Sequence, residues 1–102
     1  MPRLGLIAGN GRFPLLLTEA AQREGVEIVA VAHTGETPEE IVTLVPTVTW
    51  VRVGELGKII DTFHQAGVTQ AVMAGGISKA GAFAHFQPDA RGMAFISTLS
   101  SL

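Results

Sequence analysis

The residues of this chain whose types and spacing could do chemistry gather at two glycine-rich turns. Gly9-Asn10-Gly11 follows the apolar run Leu4 to Ala8 and precedes Pro14, while Gly75-Gly76-Ile77-Ser78-Lys79 follows a second apolar run that ends at Ala74. Glycine has no Cβ, so the chain can turn tightly there and a ligand can approach the backbone. A helix opening just after such a turn offers unpaired N–H groups and the positive end of its dipole. The first turn therefore points to an anion site, with phosphate the usual occupant. Ser78 adds a hydroxyl that can donate to an oxyanion, but no base stands near it in sequence to make it a nucleophile. Lys79 reads equally as a point charge for a phosphate and as a solvated loop lysine.

The other candidates are dispersed. His33, His64 and His85 neither share a metal-ligand spacing nor accompany a Ser/Asp pair. His33 follows a predicted strand and reads as a loop residue on the ligand rim; His64 reads as a surface residue on the outer half of a helix. Glu55 and Lys58 fall in a first helical turn, where Glu55 complements the helix dipole. Asp89, between Pro88 and Arg91, reads as a helix N-terminal acid. No catalytic set is legible in this chain, and metal ligands stay unassigned.

These residues must be held by regular elements. Leu4 to Ala8 is too short and too uniformly apolar for an amphipathic helix, and suits a strand buried on both faces of a parallel sheet. Pro14 fits a first helical position, with Phe13, Leu16, Leu17, Ala20 and Ala21 as the expected inner face and Gly25 as the stop. Val26 to Ala32 predicts a second strand. Thr37-Pro38-Glu39-Glu40 predicts a capping box and a short helix ending before Pro46. Thr47 to Val53, β-branched around Trp50, predicts a third strand. Gly54-Glu55-Leu56-Gly57-Lys58 opens a helix with Leu56, Ile59, Ile60 and Phe63 inward and Gly67 at its end, and a fourth strand runs from Thr69 to Ala74.

Such alternation predicts an α/β fold, a Rossmann-like doubly wound parallel sheet of about four strands with flanking helices. Ligands of these sheets sit beyond the strand C-termini at the switch point. The Gly9, His33 and Gly75-Gly76 loops should then share one rim, and the two glycine exits should leave a notch where backbone N–H groups meet a substrate. A dinucleotide is disfavoured, because Pro14 stands where the fingerprint wants a third small residue and no acid closes the second strand. No Walker A pattern follows the first strand.

Composition narrows the classes further. With 102 residues the chain is a single domain, and 47% hydrophobic against 16% charged residues hints at a surface meant to be covered. A net charge of −2 without a Lys/Arg cluster argues against nucleic acid. Having no Cys fits a reducing compartment, and neither a signal peptide nor a membrane-length apolar run is present. Met93, Phe95, Ile96, Leu99 and Leu102 form a terminal apolar stripe. It calls either for a partner, such as a second copy, or for further elements of a longer protein.

Leu4-Gly5-Leu6-Ile7-Ala8-Gly9-Asn10-Gly11 with Pro14, Gly54-Glu55-Leu56-Gly57-Lys58-Ile59, Ala74-Gly75-Gly76-Ile77-Ser78-Lys79 and Pro88-Asp89-Ala90-Arg91-Gly92 stand in this order and spacing. Together they resemble the N-terminal domain of the UDP-2,3-diacylglucosamine pyrophosphatases of the LpxI type, over nearly the whole chain. The resemblance implies a metal-dependent hydrolase of lipid A biosynthesis in Gram-negative bacteria, with magnesium as the expected divalent ion. Such an enzyme splits UDP-2,3-diacylglucosamine into UMP and 2,3-diacylglucosamine 1-phosphate, lipid X. It implies two domains with the lipid between them, the catalytic acid lying in a C-terminal domain absent from this chain; neither Asp61 nor Asp89 inherits that role.

Carried onto matching positions, the resemblance assigns substrate contact to Gly9, Asn10, Gly11, Ala74, Gly75, Gly76, Ile77, Ser78 and Lys79. The chain alone is then expected to be inactive. Its expected place is the cytoplasm, with peripheral contact at the inner membrane left open. Two other classes compete: a non-catalytic nucleotide- or phosphate-binding module, and a structural fragment that dimerises through its terminal stripe.

Overall fold

The computed structural model describes residues 2–78 and Asp89. Lys79, His85 and the terminal stripe lie outside the described residues. Strands and helices alternate as β1 (Arg3–Ala8), α1 (Phe13–Arg23), β2 (Glu27–His33), α2 (Ile41–Leu44), β3 (Val48–Val51), α3 (Leu56–Gln65) and β4 (Ala71–Ala74). The sheet order is β3-β2-β1-β4 and every pairing is parallel. This is the Rossmann-like α/β sheet that the alternation predicts. Its switch point lies between β1 and β4, the strands that carry the two glycine exits.

The side-chain period of two divides each strand between two cores. Ile28, Ala30 and Ala32 of β2 join Leu6, Ala8, Leu15 and Ile41 under α1 and α2. Val29 and Val31 join Val51, Ile59 and Phe63 under α3. With a helix on either face, β2 is buried from Ile28 to His33, which is why its sequence runs apolar without alternation. Gly5 belongs to the α3 face, where a Cβ would lie 3.0 Å from the Phe63 ring, so the helix settles closely on β1.

The helix ends follow the glycines. Gly25 (φ 75°) and Gly67 (φ 71°) each follow a C-cap residue. The next N–H reaches back, Val26 to the Ala21 carbonyl at 3.0 Å and Val68 to the Phe63 carbonyl at 2.9 Å, satisfying carbonyls the helix leaves open.

Three local expectations are corrected. The inner face of α1 is not the predicted stripe: Pro14, Leu15 and Thr18 are buried, Leu17 and Ala21 are half-buried, and Ala20 is exposed. Phe13 is 55% and Leu16 54% exposed. The run Phe13-Pro14-Leu15-Leu16-Leu17 supplies two overlapping apolar faces. Thr18 can join the buried one because its hydroxyl donates to the Pro14 carbonyl at 2.8 Å within the same helix.

The predicted capping box does not form. Helix α2 begins only at Ile41, Glu40 caps it without a side-chain bond, and the Thr37 hydroxyl is engaged elsewhere. In α3, Ile59 and Phe63 point inward as expected, but Ile60 is half exposed at the edge of a cleft.

Candidate functional site

The C-terminal rim of the sheet is built around the carbonyl of Ala8, the last residue of β1. His33 Nδ1 and Thr37 Oγ1 each reach it at 2.8 Å, and Thr37 Oγ1 in turn accepts the His33 backbone N–H at 2.8 Å. His33 is therefore not the loop residue expected from sequence. It is the final residue of β2, only 7% exposed, on the face shared with Val29 and Val31. A carbonyl oxygen only accepts, so the neutral ring carries its proton on Nδ1 and its lone pair on Nε2.

The two glycine exits lie against each other. Gly9 N–H donates to the Ala74 carbonyl at 2.8 Å, and Asn10 N–H donates to the Gly76 carbonyl at 2.7 Å. Gly76 N–H returns to Asn10 Oδ1 at 3.1 Å. A Cβ on Gly9 would fall 2.4 Å from the Gly76 oxygen, and one on Gly75 (φ 87°) 2.3 Å from the Asn10 oxygen. The glycines at 9 and 75 thus permit loop-on-loop packing. At the expected notch the N–H groups of Gly9, Asn10 and Gly76 are thus taken up by acceptors of the facing segment. Gly11 differs: its φ is 78°, and an added Cβ would meet nothing within 4 Å, so the approach to the α1 N-terminus is open there.

Sequence reasoning missed Glu36. Its carboxylate accepts the Asn10 side-chain amide at 3.3 Å, the Ser78 backbone N–H, and the Ser78 hydroxyl at 3.0 Å. One acid thereby ties together the loops leaving β1, β2 and β4. Its only signal in the sequence is its place just after Gly35 in a loop leaving a buried strand. Ser78 accordingly does have a carboxylate partner, which sequence proximity could not reveal.

The remaining acids and the lysine near the rim are structural. Glu55 accepts the Arg52 N–H at 2.6 Å, and Lys58 Nζ donates to the Trp50 carbonyl at 3.1 Å. Asp89 does serve a helix N-terminus, but that of α3: its Oδ2 accepts the N–H groups of Gly57 at 2.6 Å and Lys58 at 3.2 Å. His64 is exposed on α3, as expected. Among the described residues no group of three His, Cys, Asp or Glu could hold a metal ion, and no helix is long and apolar enough to cross a membrane.

On the α3 side of the rim lies a cleft of about 350 Å³. Its walls are Ile7, Val53, Leu56, Ile59, Ile60, Met73 and Ile77, and Gly9, Gly54, Gly75 and His33 complete it. Met73 is 75% exposed, so β4 presents an apolar side chain to the opening. Of the residues assigned to substrate contact, Gly9, Gly75 and Ile77 line this cleft and Gly11 stands at the α1 N-terminus. Asn10, Gly76 and Ser78 form the loop tie, and the Ala74 side chain is buried in the α1 core.

The family model described as the LpxI N-terminal domain matches residues 3–101. No curated protein matches the chain.

Proposed function

We propose that this chain, which belongs to the LpxI N-terminal domain family of lipid A biosynthesis, is the substrate-binding part of a hydrolase that splits UDP-2,3-diacylglucosamine into UMP and lipid X. The observation that carries the reading is the cleft at the C-terminal rim, because its position is where α/β sheets take ligands and its walls suit an acyl chain. The open backbone at Gly11, ahead of α1, is the place on this chain for a phosphate group. Gly9, Gly75 and Ile77 then touch the lipid. Asn10, Ala74, Gly76 and Ser78 shape the rim.

In the same proposal the catalytic acid comes from a C-terminal domain, the enzyme works in the cytoplasm, and it meets the inner membrane peripherally. Its magnesium ion belongs to the whole enzyme. The described residues do not gather a ligand set for it, so no step performed by this chain runs through the ion.

The test is hydrolysis of UDP-2,3-diacylglucosamine, followed by release of UMP and lipid X. The chain alone should turn over no faster than a metal-only blank, and adding the C-terminal domain should restore activity. Turnover by the isolated chain well above the blank overturns the division of labour, and no turnover by the complete enzyme overturns the reaction. Amide NMR with lipid X should shift Gly9 and Gly75. A response at Gly11 to UMP with none anywhere to lipid X favours a nucleotide- or phosphate-binding module instead.

A further inference from the structure

His33 stands out within the cleft. Its Nδ1 is committed to the Ala8 carbonyl, and among the described residues its Nε2 has no hydrogen-bond partner. Yet no fully buried side-chain nitrogen or oxygen is left unpaired among the described residues, so Nε2 must be reachable from outside. His33 is among the residues that line the apolar cleft, with Ile7, Val53 and Met73.

We infer that His33 Nε2 is the hydrogen-bond acceptor of this cleft, and that its ligand is an apolar chain bearing an O–H or N–H donor. The inference rests on the reading of the cleft as a chain-binding site and adds what selects the chain. An acceptor left unpaired under an apolar ligand costs most of its hydration, whereas a donor on that ligand recovers the bond. The Ala8 carbonyl holds the imidazole at Nδ1, and the Thr37 hydroxyl fixes that carbonyl and the His33 backbone, so the ring's orientation is set before a ligand arrives.

The experiment compares 1-octanol with methyl octyl ether, two chains that differ in having a donor, using ¹⁵N NMR of the imidazole together with binding titrations. Without ligand, the neutral His33 ring should show its proton on Nδ1; a proton on Nε2 overturns the inference. Addition of 1-octanol should move the Nε2 resonance upfield and the ether should not. His33→Asn places an amide nitrogen where Nδ1 stood, keeping the bond to Ala8 while deleting Nε2. In that variant 1-octanol should bind about two- to tenfold more weakly, with ether binding unchanged. Equal binding of the two probes with Nε2 unmoved overturns the inference and leaves the chain-binding cleft standing. Binding of neither probe overturns both. The wild-type comparison decides the matter even if the variant does not fold.

Discussion

Glu36 accepts both hydrogen-bond donors of Ser78, its backbone N–H and its hydroxyl, across 42 positions of sequence. With the Asn10 amide on the same carboxylate, the contact makes the rim a single unit in place of three independent loops. Charge-assisted bonds of this kind outweigh neutral ones. Glu36→Ala should therefore destabilise the fold by about 1–3 kcal/mol in urea unfolding, with Glu36→Gln milder because it keeps one acceptor. Amide exchange at Ser78 should accelerate in both variants; unchanged exchange would show that the tie does not hold the β4 exit.

The glycines of the two exits should separate by cause. Gly9→Ala and Gly75→Ala each push a Cβ into backbone oxygen, at 2.4 Å and 2.3 Å. Backbone cannot swing away as a side chain can, so each should cost about 3 kcal/mol or more. Gly11→Ala meets open space and should cost only the left-handed conformation, about 1–2 kcal/mol. Denaturant midpoints measure the order, and equal losses at positions 9 and 11 would contradict the loop-on-loop packing.

Helix α1 gives a sharper contrast between neighbours. Leu15 is 1% exposed and packs in the core under α1 and α2. Leu15→Ala should cost about 2–5 kcal/mol through lost burial and a residual cavity, while Leu16→Ala on the outward face should stay within about 0.5 kcal/mol. Thermal or urea unfolding decides it; the opposite order would restore the face that periodicity predicts.

Two buried threonines should respond differently to valine. In Thr18→Val the lost bond goes to a carbonyl of the same helix, and an apolar group replaces a polar one at equal shape, so the change should be within about 1 kcal/mol. Thr37→Val leaves the buried His33 N–H without its acceptor and should cost about 1–3 kcal/mol. It also removes one of the two side-chain donors to the Ala8 carbonyl, so the His33 ring resonances should broaden or shift. An unaltered ring would show that Nδ1 alone orients it.

What the sequence determined by itself is what neighbouring residues can encode. Uniform apolar runs specify strands covered on both faces, and alternation with helices of short reach specifies a parallel sheet. Gly25 and Gly67 mark helix ends because only their own backbone angles are at stake. The ordered motifs from Leu4 to Gly92 were sufficient to point to the LpxI family, which the match over residues 3–101 bears out. Tertiary structure decided what depends on partners far along the chain. Leu15 and Leu16 are equally apolar, and only packing on the sheet selects which is inside. Thr37 has the type and spacing of a helix cap, yet the Ala8 carbonyl and the His33 N–H offer it buried partners that a solvent-exposed cap does not. Glu36 and Ser78 carry no mutual signal in sequence, and nothing beside Gly9 or Gly75 in sequence shows that the two loops also need that space for each other. Long-range contacts made the difference, because a residue's type limits the bonds it can form while the fold chooses which of them it forms.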